Sequence, residues 1–99
     1  MTNKVYPIEE IKMLIAPIAQ RYGAEKIYLF GSYARGTAKP ESDVDFRLEK
    51  GKIKGMFALS GLRLDLADAL DKHVDLLTTG SLDESFLNEI EQEEILIYG

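Results

Sequence analysis

Cysteine is absent from this chain, which rules out a disulfide framework and a thiolate metal site and fits a reducing compartment. No apolar run approaches the roughly 18 residues that a membrane-spanning helix needs. The N-terminal stretch has charges and a proline where a signal peptide would carry its apolar segment. A cytoplasmic protein with no membrane partner is therefore expected. Basic residues are outnumbered, 12 Lys and Arg against 17 Asp and Glu, for a net charge of −5. A sequence-independent grip on nucleic acid comes from clustered cations, so direct nucleic-acid binding is not expected. An acidic chain still accommodates a nucleotide where metal ions neutralise the phosphates locally. Repeats, low-complexity segments and linkers are missing too. With 99 residues, 45% of them hydrophobic, one core can form and little is left for a second lobe. One domain over residues 1–99 is expected.

Periodicity sets out the elements. Ile8, Ile11, Leu14, Ile15 and Ile18 recur at helical spacing, with Pro7 suited to a first turn and Gly23 to a C-terminal stop. Pro17 removes one backbone hydrogen bond inside that pattern and predicts a kink or an early end. Lys26 to Phe30 reads as a short strand covered on both faces. Ser32 is expected to cap a brief helix through Arg35, which Gly36 ends. From Asp43 to Glu49 the pattern alternates: Val44, Phe46 and Leu48 on one face, Asp43, Asp45, Arg47 and Glu49 on the other. After a lysine- and glycine-bearing turn, a second long helix turns Leu59, Leu62, Leu66, Ala69 and Leu70 towards the core. His73 to Thr78 alternates again, with Val74 and Leu76 inward and His73, Asp75 and Leu77 facing away. A last helix, about Leu82 to Glu91, is expected to bury Phe86, Leu87 and Ile90, before an extended apolar tail from Ile95 to Tyr98. The fold class is α+β or α/β, a small mixed β-sheet flanked by helices.

Chemistry concentrates between residues 31 and 45. Asp43 and Asp45 share one face of a strand and lie within about 7 Å of each other. Two anions that close resist ionisation unless a cation sits between them. If the strand of Asp75 is the neighbour, three carboxylates converge, and hard oxygen ligands in that number suit Mg²⁺. Gly31-Ser32 marks a strand-to-helix corner. Its backbone amides attract phosphate oxygens, and glycine lets a phosphate approach the chain closely. Arg35 and Lys39 are candidates to touch a phosphate tail. His73, the only histidine, reads as a strand-edge residue rather than a metal ligand. Tyr28, Phe30 and Tyr33 are expected to pack.

Gly31-Ser32-Tyr33-Ala34-Arg35-Gly36 followed by Ser42-Asp43-Val44-Asp45-Phe46 resembles the signature of the minimal nucleotidyltransferases of the DNA polymerase β-like superfamily, whose small members include MntA-type antitoxins. The segments Ala16 to Gly23, His73 to Thr78 and Ile95 to Tyr98 are similar to that family as well. The resemblance implies that Asp43, Asp45 and Asp75 are catalytic and hold the magnesium, two ions, and that Asp75 deprotonates or orients the acceptor hydroxyl. It implies that Gly31 and Ser32, with Arg35, bind the nucleotide triphosphate. Arg47 stands where relatives often have an apolar residue and is expected to alter the edge of the sheet. No acceptor-gripping domain is apparent in the sequence. The family supplies a candidate acceptor: relatives pair with HEPN-domain ribonuclease toxins and move AMP from ATP to a partner tyrosine. An antitoxin acting by binding alone, transfer to a small molecule such as an antibiotic, and a purely structural module are the competing readings.

Overall fold

The computed structural model describes residues 1–99. In chain order the elements are α1 (Ile8–Tyr22), β1 (Lys26–Phe30), α2 (Ser32–Arg35), β2 (Val44–Glu49), α3 (Met56–Leu70), β3 (Val74–Thr78), a short 3₁₀ turn (Thr79–Ser81), α4 (Glu84–Glu91) and β4 (Ile95–Tyr98). The four strands form one sheet in the order β3-β2-β1-β4. Strand β1 is antiparallel to both β2 and β4, whereas β2 and β3 are parallel. A parallel pair needs a long crossover, and α3 supplies it. The expected mixed sheet flanked by helices is the observed one.

One face of the sheet meets α1 and α3. Ile27, Leu29, Val44, Phe46, Leu48 and Val74 pack there against Ile11, Ile15, Leu62, Leu66 and Leu70, all fully buried. Burying a side chain of that size contributes about 1.5–3 kcal/mol. Leu59, Ala69 and Leu76 sit at the margin of this core and are only partly covered.

Several local expectations change. Pro7 is the residue before α1, in extended backbone, rather than its first turn. The helix also runs through Pro17 to Tyr22. The proline ring is exposed, so the carbonyl it leaves unpaired, four residues earlier on Met13, can turn to water, while Ile18 and Ala19 beyond it are buried. Gly23 ends α1 in the left-handed region, φ 80°, returning its N–H to Ala19 and Gln20 carbonyls. The apolar tail is a strand, β4, paired with β1.

The other face of the sheet is not fully covered. Arg47 lies over the Tyr28 ring, 4.1 Å from its centroid, and α4 reaches only one end of the face. There Phe86 meets Phe30 edge-on at 6.4 Å but remains 39% exposed, so α4 buries Ile90 and not the expected Phe86. This open face carries the charged residues of β2 and β3.

Candidate functional site

Register brings the acids together. Phe30 pairs with Asp45 across β1 and β2, and Asp45 pairs with Asp75 across β2 and β3. Neighbouring strands lie about 4.8 Å apart, so Asp45 and Asp75 are adjacent on the open face. Asp43, two residues before Asp45, joins them at the same edge. Burial first, then a hydrogen bond with Asp75 and the charges of Asp75 and Asp43, push the Asp45 carboxyl up to about 6; Arg35 pulls weakly the other way. A carboxyl held in that state is one that a cation would relieve.

His73 stands among these acids. Its Nδ1 is 3.3 Å from Asp43 Oδ2 and 3.9 Å from Asp75 Oδ1. Ligand atoms of Asp43, His73 and Asp75 fall within 4.8 Å of one another, a group that can hold a metal ion. The reading of His73 as a plain strand-edge residue is therefore incomplete. The signal was its spacing: two residues before Asp75, it shares that residue's face, and parallel pairing sets it beside Asp43. The carboxylates suit Mg²⁺, whereas the imidazole suits a softer ion.

Gly31 forms the corner. Its φ of 73° lies in the left-handed region, and a Cβ there would collide with Asp45 Oδ2. Glycine is required on both counts. Gly31, not Ser32, occupies the position before α2; Ser32 is the first helical residue and caps nothing with its side chain. Tyr33 packs into the core beneath. Arg35 is half exposed and meets Glu93, whose Oε1 also accepts the Gly31 N–H. Lys39 is exposed, and its backbone N–H is held by Ser42 Oγ at 2.8 Å. Lys72, which no pattern singled out, is buried and donates to the carbonyls of Pro40 (2.7 Å) and Thr2 (3.3 Å). It ties the N-terminal residues to the loop that carries Asp43. Arg47 does not alter the sheet's edge: β2 is internal, and the side chain is buried against Glu94.

The raised Asp45 carboxyl sets a pH dependence. Its folded value, about 6, exceeds the ordinary 3.8, so the folded state binds the extra proton in that interval. Stability from this group is complete below about pH 4 and is lost as pH rises through about 6. Metal-free protein is expected to melt at lower temperature at pH 7 than at pH 5, relative to Asp45→Asn. Magnesium should raise the melting temperature more at pH 8 than at pH 5. A magnesium response independent of pH would contradict this account.

The polymerase beta nucleotidyltransferase family matches residues 13–99. The chain belongs to that family. A candidate protein adenylyltransferase of Methanocaldococcus jannaschii is 41% identical over 86 residues, spanning 83% of this chain and 92% of that protein. The protein adenylyltransferase MntA of Thermococcus cleftensis is 30% identical over 94 residues, 91% and 95% of the two chains. A chain in a crystal structure of a toxin-antitoxin with AMP-PNP superposes with a TM-score of 0.77 at 28% identity, covering 89% of this chain and 73% of that one. The family chemistry is nucleotidyl transfer. No helix is long and apolar enough to cross a membrane.

Proposed function

We propose that this chain transfers AMP from ATP to a tyrosine of a HEPN-type ribonuclease toxin and, by doing so in the cytoplasm, acts as its antitoxin. The observation that carries the reading is the convergence of Asp43, Asp45 and Asp75 on two paired strands beside the Gly31 corner. Relatives named as protein adenylyltransferases match over nearly their whole length, which supports a protein acceptor. The likeness to a chain of a toxin-antitoxin with AMP-PNP supports both the partner and the nucleotide.

Asp43, Asp45 and Asp75 would hold two magnesium ions, and Gly31, Ser32 and Arg35 would receive the triphosphate tail. Bound magnesium supplies charge neutralisation on the phosphates and on the departing pyrophosphate. The tyrosine oxygen attacks the α-phosphorus, and the bond from that phosphorus to the oxygen bridging to the β-phosphate breaks. The products are AMP-tyrosine and pyrophosphate. The phenol proton passes to the Asp75 carboxylate, which faces Asp45 across the ladder. Gly31 brings the backbone close to the Asp45 carboxylate, so triphosphate and metal ligands share one corner.

Incubation with α-labelled ATP, magnesium and a HEPN-type ribonuclease toxin should label the toxin on tyrosine and abolish its ribonuclease activity. Absence of label together with full toxicity would refute the reading. Protection that survives Asp43→Asn with Asp45→Asn would replace it by inhibition through binding alone.

A further inference from the structure

Two donors assigned above to the triphosphate tail are already engaged by this chain's own carboxylate. Glu93 Oε1 accepts the Gly31 N–H at 3.2 Å, and both Glu93 oxygens lie 3.2 Å from Arg35 Nη1. A carboxylate that bridges a guanidinium and a backbone amide makes the contacts that phosphate oxygens make. The single Gly31 N–H cannot serve both anions at once, and Arg35 has only its Nε and Nη2 groups left for a phosphate while Nη1 holds Glu93.

We propose that Glu93 is a built-in occupant of the triphosphate subsite: it holds Gly31 and Arg35 in the free protein, and the phosphate tail must displace it. Glu93 thereby sets how tightly the chain binds triphosphates, a property that rests on the nucleotide reading above. Its position permits release. Glu93 lies two residues beyond the end of α4, in the turn leading to β4, with its backbone N–H on the Ile90 carbonyl. Its side chain is 29% exposed and its partner Arg35 is 52% exposed, so water screens the pair and weakens it. Beside it, a cavity of about 260 Å³ opens between Phe30, Phe86, Glu89 and Ile90, giving the departing side chain room. Glu93 makes no hydrogen bond to Asp43, Asp45 or Asp75, its side-chain partners being Gly31 and Arg35. The backbone of the turn need not move, because Glu94, the next residue, is anchored separately on Arg47.

The test is calorimetric binding of ATP, AMP and inorganic tripolyphosphate to the full chain with magnesium and no toxin. Glu93→Gln and Glu93→Ala are expected to tighten ATP and tripolyphosphate by about threefold to tenfold, the worth of a screened charge-assisted pair. AMP, which lacks the tail, should change by less than about twofold by the same reasoning. Unchanged or weaker ATP binding in both variants would overturn the proposal, as would an equal gain for AMP. Should either variant unfold, the wild-type amide resonance of Gly31 decides: it must shift when tripolyphosphate is added, and a silent resonance overturns the displacement. Failure of the nucleotide reading looks different, since then neither wild type nor variant binds ATP at all.

Discussion

Asp45→Asn is expected to cut AMP transfer by about a thousandfold or more while making the metal-free protein more stable above pH 6. The two effects have one cause. Asp45 is crowded by burial and by the carboxylates of Asp75 and Asp43, so its ionised form destabilises the empty fold. A ligand that lowers stability when empty and binds a dication when loaded converts local repulsion into metal affinity. Asparagine keeps the shape and removes the charge. The melting temperature of the variant without metal should exceed that of wild type at pH 8, and the magnesium-induced rise seen in wild type should shrink or vanish. A variant that melts below wild type without metal would show that Asp45 is held by favourable contacts, and the repulsion account would fall. Transfer retained within about tenfold would remove Asp45 from the metal set, since a charge-stabilising ligand is worth several kcal/mol.

Much of this arrangement was legible because it follows from short-range periodicity. Strict alternation from Asp43 to Glu49 put Val44, Phe46 and Leu48 on the inner face, and all three are fully buried. The same period put Asp43 and Asp45 outward, and a second alternating run did the same for Asp75. Whether the strand of Asp75 is the neighbour was left open by periodicity, and the parallel pairing of β2 with β3 across α3 supplies that step. The gaps have a common origin. Glu93 meets Gly31 across 62 residues and Arg47 meets Glu94 across 47, and no local pattern encodes such contacts. Lys72 finds its partners on two distant loops, so its sequence neighbours carry no trace of its burial. Phe86 misled for another reason. Its spacing with Ile90 indicates an apolar stripe on α4, but only Ile90 is buried, while Phe86 rests on Phe30 at the margin of the open face. At the Gly-Ser corner, an N-capping serine and a glycine in the left-handed region predict nearly the same sequence. Contact with Asp45 distinguishes them, and that contact is tertiary.

Glu94→Ala is expected to cost about 3–5 kcal/mol of stability, a large share of the roughly 5–15 kcal/mol typical of a domain. Arg47 is only 5% exposed. Its Nε and Nη2 donate to the two Glu94 oxygens at 2.8 and 2.6 Å, and its Nη1 donates to Thr79 Oγ1 at 2.8 Å. The hydrogen bond to Glu94 holds the guanidinium proton more firmly than usual, against the opposing effect of burial. Removing Glu94 leaves a buried cation with a hydroxyl, the Tyr28 ring and only a distant carboxylate, Glu49 Oε2 at 3.9 Å from Nη1. Replacing both residues by apolar ones, Arg47→Met with Glu94→Leu, is expected to recover most of the loss, because the desolvation of two ions disappears with them. Urea unfolding of the two variants separates this from an ordinary surface pair: a cost below about 1 kcal/mol for Glu94→Ala would mean water screens the contact. The pair also bears on the site. It fixes the turn between α4 and β4 onto the central strand β2, and Glu93 hangs from that turn beside Gly31. A loosened turn should weaken the hold of Glu93 on Arg35, so Glu94→Ala should tighten tripolyphosphate binding even as it destabilises the fold. Weaker binding would instead show that the turn positions the subsite rather than blocking it.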